Sequence, residues 1–92
     1  MVISSVTYRC VPAHDELHHE GESLVLVDGE VTRISALGTF LRGATAEPRS
    51  LEDLTRALVA EFGAPPEGSP QDLTRGAVEA LVDAGLLQRL DP

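Results

Sequence analysis

Asp28-Gly29 lies between the apolar run Leu24-Val25-Leu26-Val27 and the segment Glu30 to Ser35, and it constrains this chain more than any other feature. A two-residue connection between antiparallel strands favours a type I′ turn, which needs positive φ at both central positions, and Asp-Gly meets that need. Such a turn sets the register: Val27 faces Glu30, Val25 faces Thr32 and Leu24 faces Arg33. Successive strand residues alternate between faces, so Leu24 and Leu26 point one way and Val25 and Val27 the other. Both faces are apolar, and both are expected to be at least partly covered.

The remaining elements follow from periodicity and punctuation. Ser5 to Val11 alternates, with Val6 and Tyr8 on one side and Thr7 and Arg9 on the other, and reads as a strand. Pro12 to Gly21 is polar, holds three histidines and three acids, and reads as a surface loop. After Ser35 the period changes. Ala36 to Leu41 forms a short helix with Ser35 as N-cap and Gly43 near its end, and Ala44 to Arg49 forms a loop. Ser50-Leu51-Glu52-Asp53 resembles a capping box and opens a helix with Leu51, Leu54, Leu58 and Phe62 on one face, stopped by Gly63. Ala64 to Gly68 is a loop. Ser69-Pro70 supplies a cap and a first-turn proline for a third helix running to Ala84, with Gly85 at its C-terminal stop. No repeat or interdomain linker divides the chain. The expectation is an α+β fold in the order βββααα: one domain over residues 1–92, with its core from about residue 5 to 88, a single sheet and three helices.

Composition narrows the function. The 92 residues carry Tyr8, Phe40 and Phe62 as their only aromatics and no tryptophan, so stacking platforms for bare bases are essentially absent. The net charge is −8 and all seven basic residues are Arg. A surface of that sign repels phosphate backbones and anionic membranes. Cys10 is the only cysteine, which excludes an internal disulfide and suits a reducing compartment; the cytoplasm is the expected location. No apolar run approaches the ~20 residues that span a bilayer.

No catalytic constellation stands out. Cys10 sits in an alternating strand with no base in its sequence vicinity, and no nucleophile elbow, P-loop or dinucleotide fingerprint is present. His14 and His18 are four apart, a spacing that on a helix could direct two imidazoles at one metal. In a loop with Leu17 as its single apolar anchor, His14, His18 and His19 read instead as solvated residues. No enzyme activity, cofactor or metal is expected.

The third helix is more informative. Val78, Leu81 and Val82 form one flank, and Leu73, Gly76, Ala77 and Ala80 form another made mostly of small residues. The small flank fits either close packing against a neighbouring element or the floor of a shallow groove. The sequence leaves both open.

Leu24-Val25-Leu26-Val27-Asp28-Gly29, followed by Val31-Thr32-Arg33-Ile34-Ser35-Ala36-Leu37-Gly38, resembles the PqqD-like family, the peptide-recognition elements of ribosomal peptide natural-product pathways. Ser50 to Leu54 with Leu58 and Phe62, and Ala80 to Leu87, extend the resemblance over about Val6 to Leu87. Arg9 matches an arginine often found on the family's first strand. The His-rich segment lies outside the family pattern, and Thr32 stands where many members have an aromatic residue. The resemblance implies a winged helix-turn-helix domain without catalytic residues. It also implies that the leader segment of a precursor peptide adds as a strand beside the third strand, in a groove against the third helix. On this chain the peptide-binding residues would be Val31, Thr32, Arg33, Ile34 and Ser35, with Leu73, Arg75, Gly76, Ala77 and Ala80 across the groove. The implied partners are that precursor peptide and a tailoring enzyme or leader peptidase; an edge-to-edge homodimer is a further expectation for an open strand. Two other readings share the architecture. A DNA-binding winged helix would need a basic third helix, yet Gln71 to Ala84 holds Arg75 against Asp72, Glu79 and Asp83. A structural subunit docked on a larger enzyme differs only in what fills the groove.

Overall fold

The computed structural model describes residues 6–91, so Ser5, expected in the first strand, lies outside the described residues. In chain order the elements are β1 (Thr7–Cys10), β2 (Asp15–His19), β3 (Glu22–Val27), β4 (Glu30–Ile34), α1 (Ala36–Ala44), β5 (Arg49–Ser50), α2 (Leu51–Phe62), α3 (Pro70–Asp83) and β6 (Leu87–Leu90).

The Asp28-Gly29 hairpin is present with the expected register, Val27 opposite Glu30 through Ser23 opposite Ile34. Asp28 and Gly29 have φ of 51° and 81°, both in the left-handed region. The segment read as a loop contains a second hairpin. Glu20 and Gly21 repeat the geometry with φ of 52° and 82°, and β2 pairs with β3 from Asp15–Leu26 to His19–Glu22. The meander β2-β3-β4 is therefore one three-stranded antiparallel sheet. β1 is not part of it. It lies between β5 and β6 in a second antiparallel sheet, with Thr7 opposite both Ser50 and Leu90. The α+β class holds, and the single sheet is corrected to two.

The helix caps follow the sequence. Ser35, Ser50 and Ser69 accept hydrogen bonds from the amides of Gly38, Asp53 and Asp72, each satisfying one of the donors that a helix start leaves without an intrahelical partner. α3 ends in a Schellman motif. Gly85 takes φ +78°, its N–H donates to the Val82 carbonyl, and the Leu86 N–H donates to the Leu81 carbonyl. That turn delivers Leu86 and Leu87 into the core and starts β6.

The core forms where α1 packs on the inner face of the meander, α2 and α3 pack against α1 and each other, and all three helices meet the smaller sheet. Val25, Leu41, Leu54, Val78, Leu86 and Leu87 are its most buried apolar members. Only one face of β3 is closed: Val25 is fully buried, whereas Leu24 on the opposite face is 41% exposed. Leu26, on the same face as Leu24, is half-buried, so the outer face is partly covered, in keeping with the expectation of at least partial cover on both faces.

Two polar ties hold α1 in place. The hydroxyls of Ser23 on β3 and Thr39 on α1 are 2.7 Å apart. Arg42, whose side chain is only 4% exposed, donates from Nη1 to the Leu86 carbonyl at 2.6 Å and from Nη2 to Glu16 on β2. One side chain thus joins the meander, α1 and the segment entering the second sheet. Among the described residues, no helix is long and apolar enough to cross a membrane.

Candidate functional site

β4 is an edge strand, paired on one side with β3. In an antiparallel pair, alternate residues exchange both backbone bonds, starting with the pair that flanks a two-residue turn. Val27–Glu30, Val25–Thr32 and Ser23–Ile34 are therefore the bonded pairs. The N–H and C=O groups of Val31 and Arg33 point to the open side, and no turn, loop or cap hydrogen bond reaches them among the described residues. Thr32 and Ile34, expected at the site, contribute side chains to it while their backbone serves β3.

The other edge of the meander is β2, where the same logic turns the backbone of Glu16 and His18 outward. There the Glu16 side chain turns under the sheet to the buried Arg42, and His18 Nε2 lies 3.2 Å from the other Glu16 oxygen. Charged side chains turned inward on an edge strand are a known device against further strand pairing. β4 carries no such guard.

Alongside β4 runs a trough of about 260 Å³. Thr32 to Ser35 form one wall, and Ala77 and Ala80 of α3, with its C-cap Ala84, form the other. Ile34 and Leu81, 4% and 9% exposed, make a closed floor with Gly38. Gly38 is required there, because a Cβ at this position would come within 2.4 Å of Ile34 Cγ2. The trough exists because residues 77 and 80 of α3 and its C-cap residue 84 are all alanine at helical spacing.

The structure brings most, but not all, of the sequence-predicted residues together. Thr32, Arg33, Ile34, Ser35, Ala77 and Ala80 line the trough. Val31 borders the open edge through its backbone, while its side chain is 65% exposed and, by strand alternation, lies with Leu24 on the outer face of the meander. Three residues are corrected. Leu73 lies further along α3 and lines a different cavity, of about 270 Å³, with Leu37, Phe62 and the prolines of the following loop. Gly76 is exposed and does not line the trough, because it sits one residue round the helix from Ala77. Arg75 does not line it either; its Nη1 donates to Asp72 Oδ1 at 2.9 Å. Arg33 is also paired, its Nη2 lying 3.0 Å from Glu22 Oε1. Sequence reasoning missed Leu37, Gly38, Leu81, Ala84 and Leu86. Gly38, four residues after Ile34, was the available signal for a close approach.

Elsewhere, chemistry is sparse. His18 and His19 lie on a strand, so the helical spacing considered for His14 and His18 does not arise. Among the described residues, no group of three or more His, Cys, Asp or Glu side chains is arranged to hold a metal ion. Burial pushes the Cys10 thiol above its ordinary range, with the nearby Arg42 charge opposing the shift and Glu16 reinforcing it. A thiol held protonated is a weak nucleophile.

Compared with protein-family models, with curated proteins and with solved structures, the chain matches none.

Proposed function

We propose that this protein is a non-catalytic adaptor that binds an extended peptide as an added strand on β4. The observation that carries this reading is the difference between the two edges of the meander. β2 is guarded by turned-in charges, whereas β4 leaves the backbone of Val31 and Arg33 unpaired beside a trough floored by apolar side chains. β-augmentation uses such a pairing of features: backbone hydrogen bonds supply affinity and the trough selects side chains. With the resemblance to the PqqD-like family, the reading becomes specific. The peptide is the leader segment of a ribosomally made precursor, held for a tailoring enzyme or leader peptidase, and the domain works as a winged helix-turn-helix module with α2 and α3 as its helix pair. A second copy of the chain could occupy the same edge in the absence of peptide, in which case peptide and self-association compete.

The reading expects a short precursor gene close to this one, and the leader of that precursor is the test peptide. Titration into labelled protein, followed by amide exchange, is expected to protect Val31 and Arg33 while leaving Glu16 and His18 unchanged. Ala80→Phe, which fills the trough from an exposed helix position, is expected to weaken binding without lowering the melting temperature. Tight binding with no change at Val31 and Arg33 would place the peptide elsewhere. A mass change in peptide incubated with this protein alone would overturn the adaptor reading.

A further inference from the structure

The large apolar side chains left exposed among the described residues fall into two groups. Leu17, Leu24 and Val31 lie on the outer face of the meander; Leu37, Phe62 and Leu73 surround the cavity at the start of α3. The second group is continuous with the β4 trough, because Leu37 lines both spaces. α3 runs opposite to β4: Ala84 lies beside Thr32, and Leu73 lies beyond Leu37, past the end of the strand. Residues 73, 77, 80 and 84 form one stripe on the helix, so the cavity is the next station along the same path.

We infer that the peptide surface continues past β4 into this cavity, where the bound peptide inserts an aromatic side chain flanked by a basic residue, both N-terminal to its strand-forming segment. The inference rests on β4 being the peptide edge. The direction comes from the sheet, whose pairings are all antiparallel. A further antiparallel strand runs from Ile34 towards Glu30, so residues preceding it pass Leu37 and reach Leu73. The volume of about 270 Å³ accommodates one large side chain. Aromatic chemistry is favoured by Phe62, which is half exposed and meets Phe40 edge to face at 5.7 Å, leaving ring surface for another aromatic partner. The basic neighbour follows from charge. α2 ends at this cavity with no basic residue in its last turn, so its negative pole is uncompensated, and Glu61 and Glu67 are exposed nearby.

A displayed library of random peptides, panned separately on the wild-type chain, Leu73→Asp and Ala80→Phe, tests this. Leu73 is 54% exposed, so its substitution is expected to leave the melting temperature near wild type. Wild-type selections are expected to enrich an aromatic residue and a basic neighbour at a fixed distance before an alternating apolar segment. On Leu73→Asp the aromatic preference disappears and the alternating segment persists. A selected peptide then binds about tenfold or more weakly, as expected for losing one buried apolar side chain. If Leu73→Asp leaves consensus and affinity unchanged while Ala80→Phe abolishes binding, the cavity inference fails and the β4 reading stands. If Ala80→Phe changes nothing, the β4 reading fails, and this inference with it. A folded wild-type protein that enriches no peptide overturns both.

Discussion

Glu16→Ala removes the one carboxylate among the described residues that pairs with the Arg42 guanidinium in the interior. Arg42 is 4% exposed, and its Nε has no hydrogen-bond partner among the described residues. Without Glu16, the cation retains the Leu86 carbonyl as its hydrogen-bond acceptor. Stranding a buried charge costs about 3–5 kcal/mol, and the low end applies here because Glu16 is 29% exposed and water can follow into the vacated space. A loss of about 3 kcal/mol lowers the melting temperature of a domain this size by roughly 12–24 °C. Arg42→Met is expected to cost less, about 1 kcal/mol, although it deletes the more buried partner. It removes the charge and keeps an apolar stem, Glu16 can rehydrate, and the Leu86 carbonyl still accepts from the Val11 N–H at 3.1 Å. The double variant should then be no less stable than Arg42→Met alone. Urea unfolding followed by circular dichroism measures all three. Arg42→Met proving as destabilising as Glu16→Ala would show that packing of the arginine stem, and not charge compensation, holds α1 to the meander.

Gly38→Ala and Gly76→Ala should have opposite signs. The first drives a Cβ to 2.4 Å from Ile34, costing about 1–3 kcal/mol of overpacking against a helix-propensity gain of about 1 kcal/mol, and its cost should shrink in an Ile34→Ala background. The second meets nothing within 4 Å and should stabilise by about 0.5–1 kcal/mol in thermal melts. Because burial raises the Cys10 thiol, iodoacetamide should label the native chain more slowly than the denatured one at neutral pH. The folded chain also keeps that proton to higher pH than the unfolded chain, so stability should fall as pH rises through the ordinary thiol range, and Cys10→Ala should flatten that slope in denaturant titrations. In the free protein, amide exchange along β4 should alternate, fast at Val31 and Arg33 and slow at Thr32 and Ile34; uniform protection would mean that the edge is already covered.

What the sequence made legible was local chemistry. Asp28-Gly29 determined a register correct at every pair, and the three serine caps, Pro70, Gly63 and Gly85 marked helix ends because each acts on its own backbone. β2 escaped because its alternation has Leu17 as its sole apolar anchor and its turn is Glu20-Gly21, with a residue at positive φ that has none of the left-handed preference of Asn or Asp. β5 and β6 escaped for another reason. A two-residue strand at a helix cap and a short strand after a Schellman turn are defined by their distant partner, β1, and carry no periodicity of their own. The site was half legible for the same reason. Ala77 and Ala80 were readable as a small flank, but which neighbour that flank meets depends on the rotation of α3, and this placed Ala84 at the trough, Leu73 past its end, and Arg75 and Gly76 away from it.

The pairing of Thr7 with Leu90 spans almost the whole chain, whereas both meander hairpins close over two-residue turns. Loop-closure entropy rises with the length of chain enclosed, so the β2-β3-β4 meander can form early while the β1–β6 contact waits until the three helices have docked. The kinetic order of assembly is thereby divided between the two sheets. Joining residues 6 and 91 through a short linker and reopening the chain in the loop at residues 64–68 would convert the longest-range contact into a hairpin. Such a circular permutant would keep the same native neighbours while moving the long-range closure from the β1–β6 pairing to the packing of α2 on α3, so the order in which sheet and helices assemble should change.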